Sequence, residues 1–327
     1  MTTMTICTAV AKERLLIVIL TFGLHVLALS CSVAGRNETA KLDVLLDWKP
    51  TPSFIGFYVA QDLGYYRDAG LAVTFEHGTG AADSAKIVSA GTYPVGTSSA
   101  QATALARAAG SPIRSLAILY PAVPTVMISM ADAPIRFPRD IPGKRVGVNA
   151  ASATFTDYLA LLKLHGIDRA SVHEVGVGWD MTPLITHRVD AVMDYSEQSP
   201  IELRVKGYKI ATMAFRDNGL KCYGFNMIAN ESALQSRGAA IDAFRTATLR
   251  GYEFVKRDPE AATRVFLKFY PERERSFVRE SVLAVIANLG PDPIGLQTQD
   301  GWNETLKTLV SAGVLTQEFA AAEVIAK

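Results

Sequence analysis

Aromatic, hydroxyl and carboxylate side chains recur where an apolar strand pattern ends and a helical pattern begins. In the first half of the chain they are Asp47, Trp48, Thr97, Ser98, Ser99 and Tyr120, and in the second half Ser152, Thr154, Trp179, Asp180, Tyr195, Ser196, Glu197 and Gln198. Aromatic rings can stack on a flat ligand, while hydroxyls and carboxylates can hydrogen-bond to its edge. For each residue taken singly, capping the next helix, or for Trp48 packing in a core, is an equally good interpretation. The recurrence in both halves favours a ligand-binding cleft.

From these positions we select ten candidate ligand-binding residues, because each has a side chain that could stack or hydrogen-bond. They are Asp47, Trp48, Ser98, Ser99, Tyr120, Ser152, Thr154, Trp179, Tyr195 and Glu197. In open α/β sheets the carboxyl ends of the strands are where ligands bind, so residues at these junctions should converge.

The sequence contains no pattern typical of a catalytic or metal site. Residues 96–100 (GTSSA) place a serine in a strand-to-helix turn, but the second glycine of a hydrolase elbow is absent and no histidine stands as its partner. Two Gly-x-Gly runs, at 78–80 and 176–178, lack the third glycine of a dinucleotide fingerprint. The histidines are scattered, without a metal-ligand spacing. We therefore predict that the protein is not an enzyme, and we expect no catalytic residue, cofactor or metal.

Composition narrows the class of partner. The chain has 327 residues, room enough for two domains of ordinary size. Its formal net charge is +1 and its charged residues make up 20%, which gives no electrostatic case for nucleic acid. We expect a small-molecule ligand and a monomer.

The N-terminus has the pattern of a targeting segment. Charged residues 12–14 precede an apolar run from Leu15 to Leu29, which is short for a membrane span. We predict a signal peptide over residues 1–34. Cleavage after the small residues 32–34 would leave a soluble exported protein, whereas the lipoprotein-like box ending at Cys31 would make that cysteine a lipidated first residue; an uncleaved anchor is a third alternative. All three place the folded body outside the cytoplasm.

After the leader, strand and helix patterns alternate in two sets, and the last third is helical in pattern. Units of this length predict an α/β fold with mostly parallel sheets flanked by helices. We predict that residues 41–125 and 230–327 form lobe 1, and that residues 131–223 form lobe 2. Segments 126–130 and 224–229 are predicted as the two hinge crossings, with the C-terminal helices packed on lobe 1.

Four runs of sequence carry a family resemblance. Residues 46–71 (LDWKPTPSFIGFYVAQDLGYYRDAGL) contain W-x-P, G-x-Y-x-A, G-Y-Y and G-L; the others are SAGTYPVG at 89–96, GKRVGV at 143–148 and THRVDAVMDY at 186–195. This pattern resembles that of the periplasmic-type binding proteins related to the thiamine-pyrimidine synthase. The resemblance implies a two-lobe periplasmic-binding-protein-like fold of type II. It also implies that Trp48 stacks on the ligand ring, that Asp47 lies beside it, and that Glu197 is the nearest candidate for a pyrimidine-binding glutamate.

The same resemblance allows this chain to be compared with the synthase itself. That enzyme uses a lysine bound to pyridoxal phosphate, a histidine donor and a cysteine-rich iron-binding run. Here the lysine position falls on about Ser98, the histidine position on about Ala102, and the cysteine-rich run on residues 221–225 (KCYGF). The pattern therefore favours a binding protein over a pyrimidine-forming enzyme.

The resemblance leads to the prediction of an extracytoplasmic solute-binding protein of an ABC importer. It would lie in the periplasm or on the outer face of the cytoplasmic membrane, held there only by a possible lipid anchor, and its partners would be the permease and ATPase subunits. The expected ligand is a thiamine pyrimidine precursor of the hydroxymethylpyrimidine or formylaminopyrimidine type. The alternative ligand is riboflavin, a sulfonate, nitrate or another small molecule. An oxyanion would need a well-placed arginine or a nest of free N–H groups, and Arg107, Arg114 and Arg145 are the arginines available.

Overall fold

The computed structural model describes residues 39–150 and 152–326. The predicted signal peptide over residues 1–34, with its possible lipidation site Cys31, lies outside the described residues. Among the helices that are described, none combines the length and the apolar character that crossing a membrane requires.

Strands and helices alternate through residue 230, and helices follow. The strands are β1 Ala40–Leu46, β2 Leu71–His77, β3 Val95–Ser99, β4 Ile113–Ile118, β5 Thr125–Met130, β6 Arg145–Val148, β7 His173–Gly176, β8 Ala191–Tyr195, β9 Ile210–Ala214 and β10 Phe225–Asn230. The α-helices are α1 Ile55–Asp62, α2 Tyr65–Asp68, α3 Ala81–Ser89, α4 Ala100–Ala108, α5 Ala153–Leu164, α6 Thr182–Ile185, α7 Ser199–Val205, α8 Glu231–Arg257, α9 Pro259–Phe269, α10 Arg275–Asn288 and α11 Gln299–Ser311.

The strands form two five-stranded sheets, in the orders β2-β1-β3-β10-β4 and β7-β6-β8-β5-β9. In each sheet four strands share one direction. The exception in the first sheet is β10, which is antiparallel to both neighbours, and in the second sheet it is β5. The predicted α/β class with two mostly parallel sheets is confirmed.

The two predicted crossing segments are themselves strands. Residues 126–130 belong to β5 and pair with β8 and β9, while residues 225–229 belong to β10 and pair with β3 and β4. Their continuous apolar pattern is that of a strand buried on both faces, which explains why each lies inside a sheet. The chain passes from one sheet to the other just outside them, at 119–124 and 215–224. The domain limits themselves stay a prediction.

Helices α8, α9 and α10 pack against α1 and the first sheet in one large apolar core. At the contact of α1 with α8 the backbones approach closely, because a Cβ placed on Gly251 would lie 2.1 Å from the carbonyl oxygen of Gly56. Only glycine permits that contact.

Helix α11 packs differently from the three helices before it. Its buried residues Trp302, Leu306 and Leu309 share a core cluster with Ala104 of α4 and Tyr158 of α5. The cluster therefore joins elements that flank the first sheet to elements that flank the second.

Candidate functional site

A cavity of about 350 Å³ lies where the carboxyl ends of strands from both sheets meet. The residues after β1, β4, β6 and β7 and the last residues of β3 and β8 line it. Its volume is at the lower end of the roughly 300–1,000 Å³ that small-molecule sites occupy. The convergence expected for strand-to-helix junctions is thus present in the structure.

All the candidate ligand residues except Ser98 line this cavity. They are Asp47, Trp48, Ser99, Tyr120, Ser152, Thr154, Trp179, Tyr195 and Glu197. The side chain of Ser98 turns the other way, because neighbouring residues of a strand point to opposite faces. Its hydroxyl is fully buried and donates to the carbonyl oxygen of Ala81 at 2.9 Å. That these residues bind a ligand stays a prediction.

Two indoles that line the cavity are in contact with each other. The ring centroids of Trp48 and Trp179 are 4.6 Å apart, with an interplanar angle of 56°. Trp48 is half-buried against the first core, whereas Trp179 is 53% exposed. The Trp48 ring is therefore held in place by the core, whereas the more exposed Trp179 ring lies on the outer side of the cavity and is held by fewer contacts.

Asp47 is fixed by the neighbouring strand. The Thr97 hydroxyl donates to Asp47 Oδ1 at 2.6 Å, and the Asp47 backbone N–H donates to the same hydroxyl oxygen at 2.8 Å. Burial raises the pKa of Asp47 to about 6, although the bond from Thr97 opposes the shift. The carboxyl group is thus held in a fixed orientation beside Trp48.

Glu197 is the most completely enclosed acid of the cavity, at 1% exposed. The Ser53 hydroxyl donates to Oε1 at 3.1 Å, and the Ser196 hydroxyl and the Asn288 side-chain amide donate to Oε2 at 3.2 and 2.9 Å. Burial raises the pKa of Glu197 to about 7. Ser53 precedes α1 and Asn288 ends α10, so Glu197 on the second-sheet side bonds to elements of the first.

Three further acids line the cavity and were not among the sequence candidates: Asp157, Asp194 and Glu202, of which Glu202 is exposed. Asp157 on α5 is 3% exposed, and burial raises its pKa to about 7. Asp194, in β8, accepts hydrogen bonds from the backbone N–H and the hydroxyl of Ser199, and burial raises its pKa as well. Tyr195 lies among the acids of the cavity. Its pKa is raised first by burial and then by the nearby carboxylates of Asp157, Asp47, Glu197 and Asp194.

A weak sequence signal for Asp157 exists in hindsight. It follows the candidate Thr154 by three residues on the same helix, so both side chains project from one face. Nothing comparable marks Gln101, which also lines the cavity from the first turn of α4.

The positive charges near the cavity are all outside its interior. Among the described residues that line it, the basic ones are Lys49 and Arg273, and both are exposed. The arginines considered for an oxyanion are paired elsewhere. Arg107 and Arg114 both bind Glu231, at 3.0 and 2.6 Å, and Arg145 binds Asp190 at 2.6 Å.

Two buried polar atoms on lining residues make no hydrogen bond. They are the hydroxyl of Thr51 and the side-chain oxygen Oε1 of Gln101. Unsatisfied buried polar groups are rare in folded proteins. Their occurrence on residues that line one cavity is a feature of this site.

The features that could have supported catalysis have structural partners. Ser99 caps α4, since its side chain accepts from the backbone N–H of Ala102 at 3.1 Å. Cys222 is free and buried, and burial raises the pKa of its thiol beyond the range where a thiolate forms. In the part of the chain that the structure describes, no three His, Cys, Asp or Glu side chains are grouped so as to hold a metal ion.

Comparison with known proteins gives a consistent set of relatives. The family described as NMT1/THI5 like matches residues 51–262. The formylaminopyrimidine-binding protein of Halalkalibacterium halodurans is 26% identical over 89% of this chain and 92% of that protein. The riboflavin-binding protein RibY of Chloroflexus aurantiacus is 25% identical over 84% of this chain and 82% of that protein.

Enzymes also occur among the relatives. The 4-amino-5-hydroxymethyl-2-methylpyrimidine phosphate synthase of Legionella pneumophila is 28% identical over 73% of this chain and 77% of that protein. Among solved structures, the alkanesulfonate-binding protein SsuA of Xanthomonas axonopodis pv. citri, bound to MOPS, superposes with a TM-score of 0.70. It covers 88% of this chain and 98% of its own at 14% identity, so it supports the fold alone.

Proposed function

Because this chain belongs to the NMT1/THI5-like family and has the two-lobe fold of periplasmic binding proteins, we propose that it is the solute-binding protein of an ABC importer and that its ligand is an aminopyrimidine precursor of thiamine. The observation that carries the proposal is the composition of the cavity. Four buried or half-buried carboxylates, from Asp47, Asp157, Asp194 and Glu197, line it beside a half-buried indole.

Buried carboxylates select for hydrogen-bond donors. When ionised they only accept hydrogen bonds, and when buried without a cation they repel an anion strongly. The exocyclic amino group of an aminopyrimidine supplies donors, and its flat ring suits stacking on Trp48. A sulfonate or nitrate supplies only acceptors and negative charge, which this cavity does not accommodate.

Riboflavin is the second candidate, and the RibY relative is the observation in its favour. Its flat ring system would also stack on Trp48. However, the ring edge presents mainly acceptors, so the carboxylates would have few ring donors to bind.

A binding role fits the chain better than a pyrimidine-forming reaction. The position expected for the synthase lysine is Ser98, whose hydroxyl faces away from the cavity, and the position expected for the histidine is the buried Ala102. The single cysteine of the expected iron-binding run, Cys222, is buried and does not line the cavity. The periplasmic location, the membrane partners, a lipid anchor at Cys31 and a monomeric state belong to this proposal.

A ligand panel tests the proposal. The purified protein is heated with 4-amino-5-hydroxymethyl-2-methylpyrimidine, its formylamino counterpart, riboflavin, an alkanesulfonate or nitrate, and Kd values are measured by calorimetry for each ligand that shifts Tm. A ligand present at 100 times its Kd stabilises the folded state by about 2.7 kcal/mol. We expect the pyrimidines to give the largest shifts. A shift with sulfonate or nitrate and none with either pyrimidine would refute the ligand class.

A further inference from the structure

A second set of hydrogen-bonded residues lines the cavity, separate from the residues that bind Glu197. Gln101, in the first turn of α4, donates through Nε2 to Oδ1 of Asp157 on α5 at 2.7 Å. The Thr125 hydroxyl donates to the other carboxylate oxygen, Oδ2, at 2.6 Å. The partners of Glu197 are Ser53, Ser196 and Asn288, so the two acids are held by separate sets of residues.

This pair has acceptor capacity that the protein does not use. Oε1 of Gln101 is buried and has no partner, while the whole side chain is only 2% exposed. Each oxygen of Asp157 receives one side-chain hydrogen bond, from Gln101 or Thr125, and can accept another. Both residues line the cavity, so this amide oxygen and this carboxylate belong to its wall.

The orientation of Gln101 determines which chemistry the pair can recognise. One N–H of Nε2 donates to Asp157, which orients the amide and leaves Oε1 as the atom of the group without a partner. A neutral amide acceptor next to a carboxylate suits a group with two or three N–H donors and positive charge. A hydroxyl, with one donor, could satisfy only one of the two acceptors.

We propose that Gln101 and Asp157 form a specificity-determining subsite for a primary amine, bound as the ammonium, on the ligand. The inference rests on the proposed function and narrows it. Glu197 accepts hydrogen bonds from one end of the ligand, and the Gln101–Asp157 pair accepts them from the other. An aminopyrimidine with an aminomethyl substituent meets both requirements, whereas its hydroxymethyl counterpart meets only the first fully.

The pair also connects the two halves of the fold, and a purely structural role would account for the bond between them. It would not account for Oε1, because a buried acceptor without a partner destabilises the fold and is not needed to join α4 to α5. The test must therefore separate selectivity from stability.

The experiment compares two ligands that differ in one group, 4-amino-5-aminomethyl-2-methylpyrimidine and 4-amino-5-hydroxymethyl-2-methylpyrimidine. Calorimetric Kd values are measured at pH 7.5 for the wild type and for Asp157→Asn, which keeps the shape of the side chain and removes its charge. We expect the wild type to prefer the amine at least tenfold, and the variant to prefer it less than threefold. Glu231→Gln, which alters a carboxylate outside the cavity, is the control and should keep the wild-type preference.

Gln101→Ala is the second variant, in case Asp157→Asn lowers the yield of folded protein. It too should reduce the preference for the amine, because the neutral acceptor is gone. A structural role would weaken both ligands equally and leave the ratio of their Kd values unchanged, which would overturn the inference. Equal binding of the two ligands by the wild type would overturn it while leaving the proposed function intact. Binding of neither would overturn both.

Discussion

Replacing Glu197 by glutamine should change stability and ligand affinity in opposite directions. The carboxyl group is 1% exposed, and burial moves its pKa from the usual 4.5 to about 7. A group with a raised folded-state pKa stabilises the fold fully below its unfolded pKa, and that contribution is lost as the pH rises through the folded pKa. The ionised Glu197 carboxylate therefore makes the folded state less stable at pH 8 than the protonated carboxyl does at pH 4.5.

The size of the expected change in stability follows from the pKa shift of Glu197. A change from 4.5 to about 7 corresponds to roughly 3 kcal/mol between the two protonation states, which is an upper limit for an acid with coupled neighbours. Glutamine has the same shape and no charge. Ser53 and Ser196 can accept as well as donate, so its amide can be satisfied. We expect Glu197→Gln to raise stability by about 1–3 kcal/mol at pH 8 and to leave it nearly unchanged at pH 4.5.

The affinity for the ligand should fall in the same variant. Loss of a hydrogen bond from ligand to carboxylate should weaken the pyrimidine by about 1.5–3 kcal/mol, or roughly 10–150-fold in Kd. Stability is followed by urea unfolding and affinity by calorimetry, both at pH 8. Glu231→Gln is the matched control, because it removes a carboxylate that binds Arg107 and Arg114 outside the cavity, and it should gain no stability. A loss of stability at pH 8, or an unchanged Kd, would refute the reasoning.

Three further substitutions test the cavity and the core. Trp48→Ala should raise the Kd of the pyrimidine by about 5–150-fold, from a lost stacking contact of about 1–3 kcal/mol, whereas Phe137→Ala, remote and 46% exposed, should leave it unchanged in calorimetry. Ser98→Ala should leave the Kd within twofold but lower stability to urea by about 1 kcal/mol, because it removes a buried hydrogen bond; a large loss of affinity would contradict the placement of that side chain. Gly251→Ala should lower Tm through overpacking of about 1–3 kcal/mol or more, since the new Cβ would meet a carbonyl oxygen of the facing helix at 2.1 Å; an unchanged Tm would show that the helices can separate there.

The parts of the site that local sequence pattern could predict are those at strand ends. Asp47 and Trp48 follow a clearly apolar strand, so their position at the edge of the sheet could be inferred without knowing the rest of the fold. Ser98 and Ser99 show the limit of that reasoning. Both belong to β3, and because alternate residues face opposite ways only Ser99 reaches the cavity. The end of the strand had to be known to within one residue.

The parts that could not be predicted depend on how distant segments meet. Gln101 lies in the first turn of α4 and Asp157 within α5, and their bond joins the two helices across a separation of 56 residues. Nothing in either helix taken alone identifies the other as its partner. The same holds for α11, whose apolar face has the ordinary pattern of a packed helix but covers parts of both halves of the fold.

The position of β10 in the first sheet has a consequence for how the chain folds as it is made. This strand lies between β3 and β4 and pairs with both, yet residues 225–230 follow the whole second sheet in the sequence. The first sheet therefore cannot close while only the N-terminal half has been synthesised, and such long-range pairing forms slowly. A growing chain would stay without a complete N-terminal core until late in its synthesis. That delay would suit a polypeptide that has to cross a membrane in an extended state before it folds.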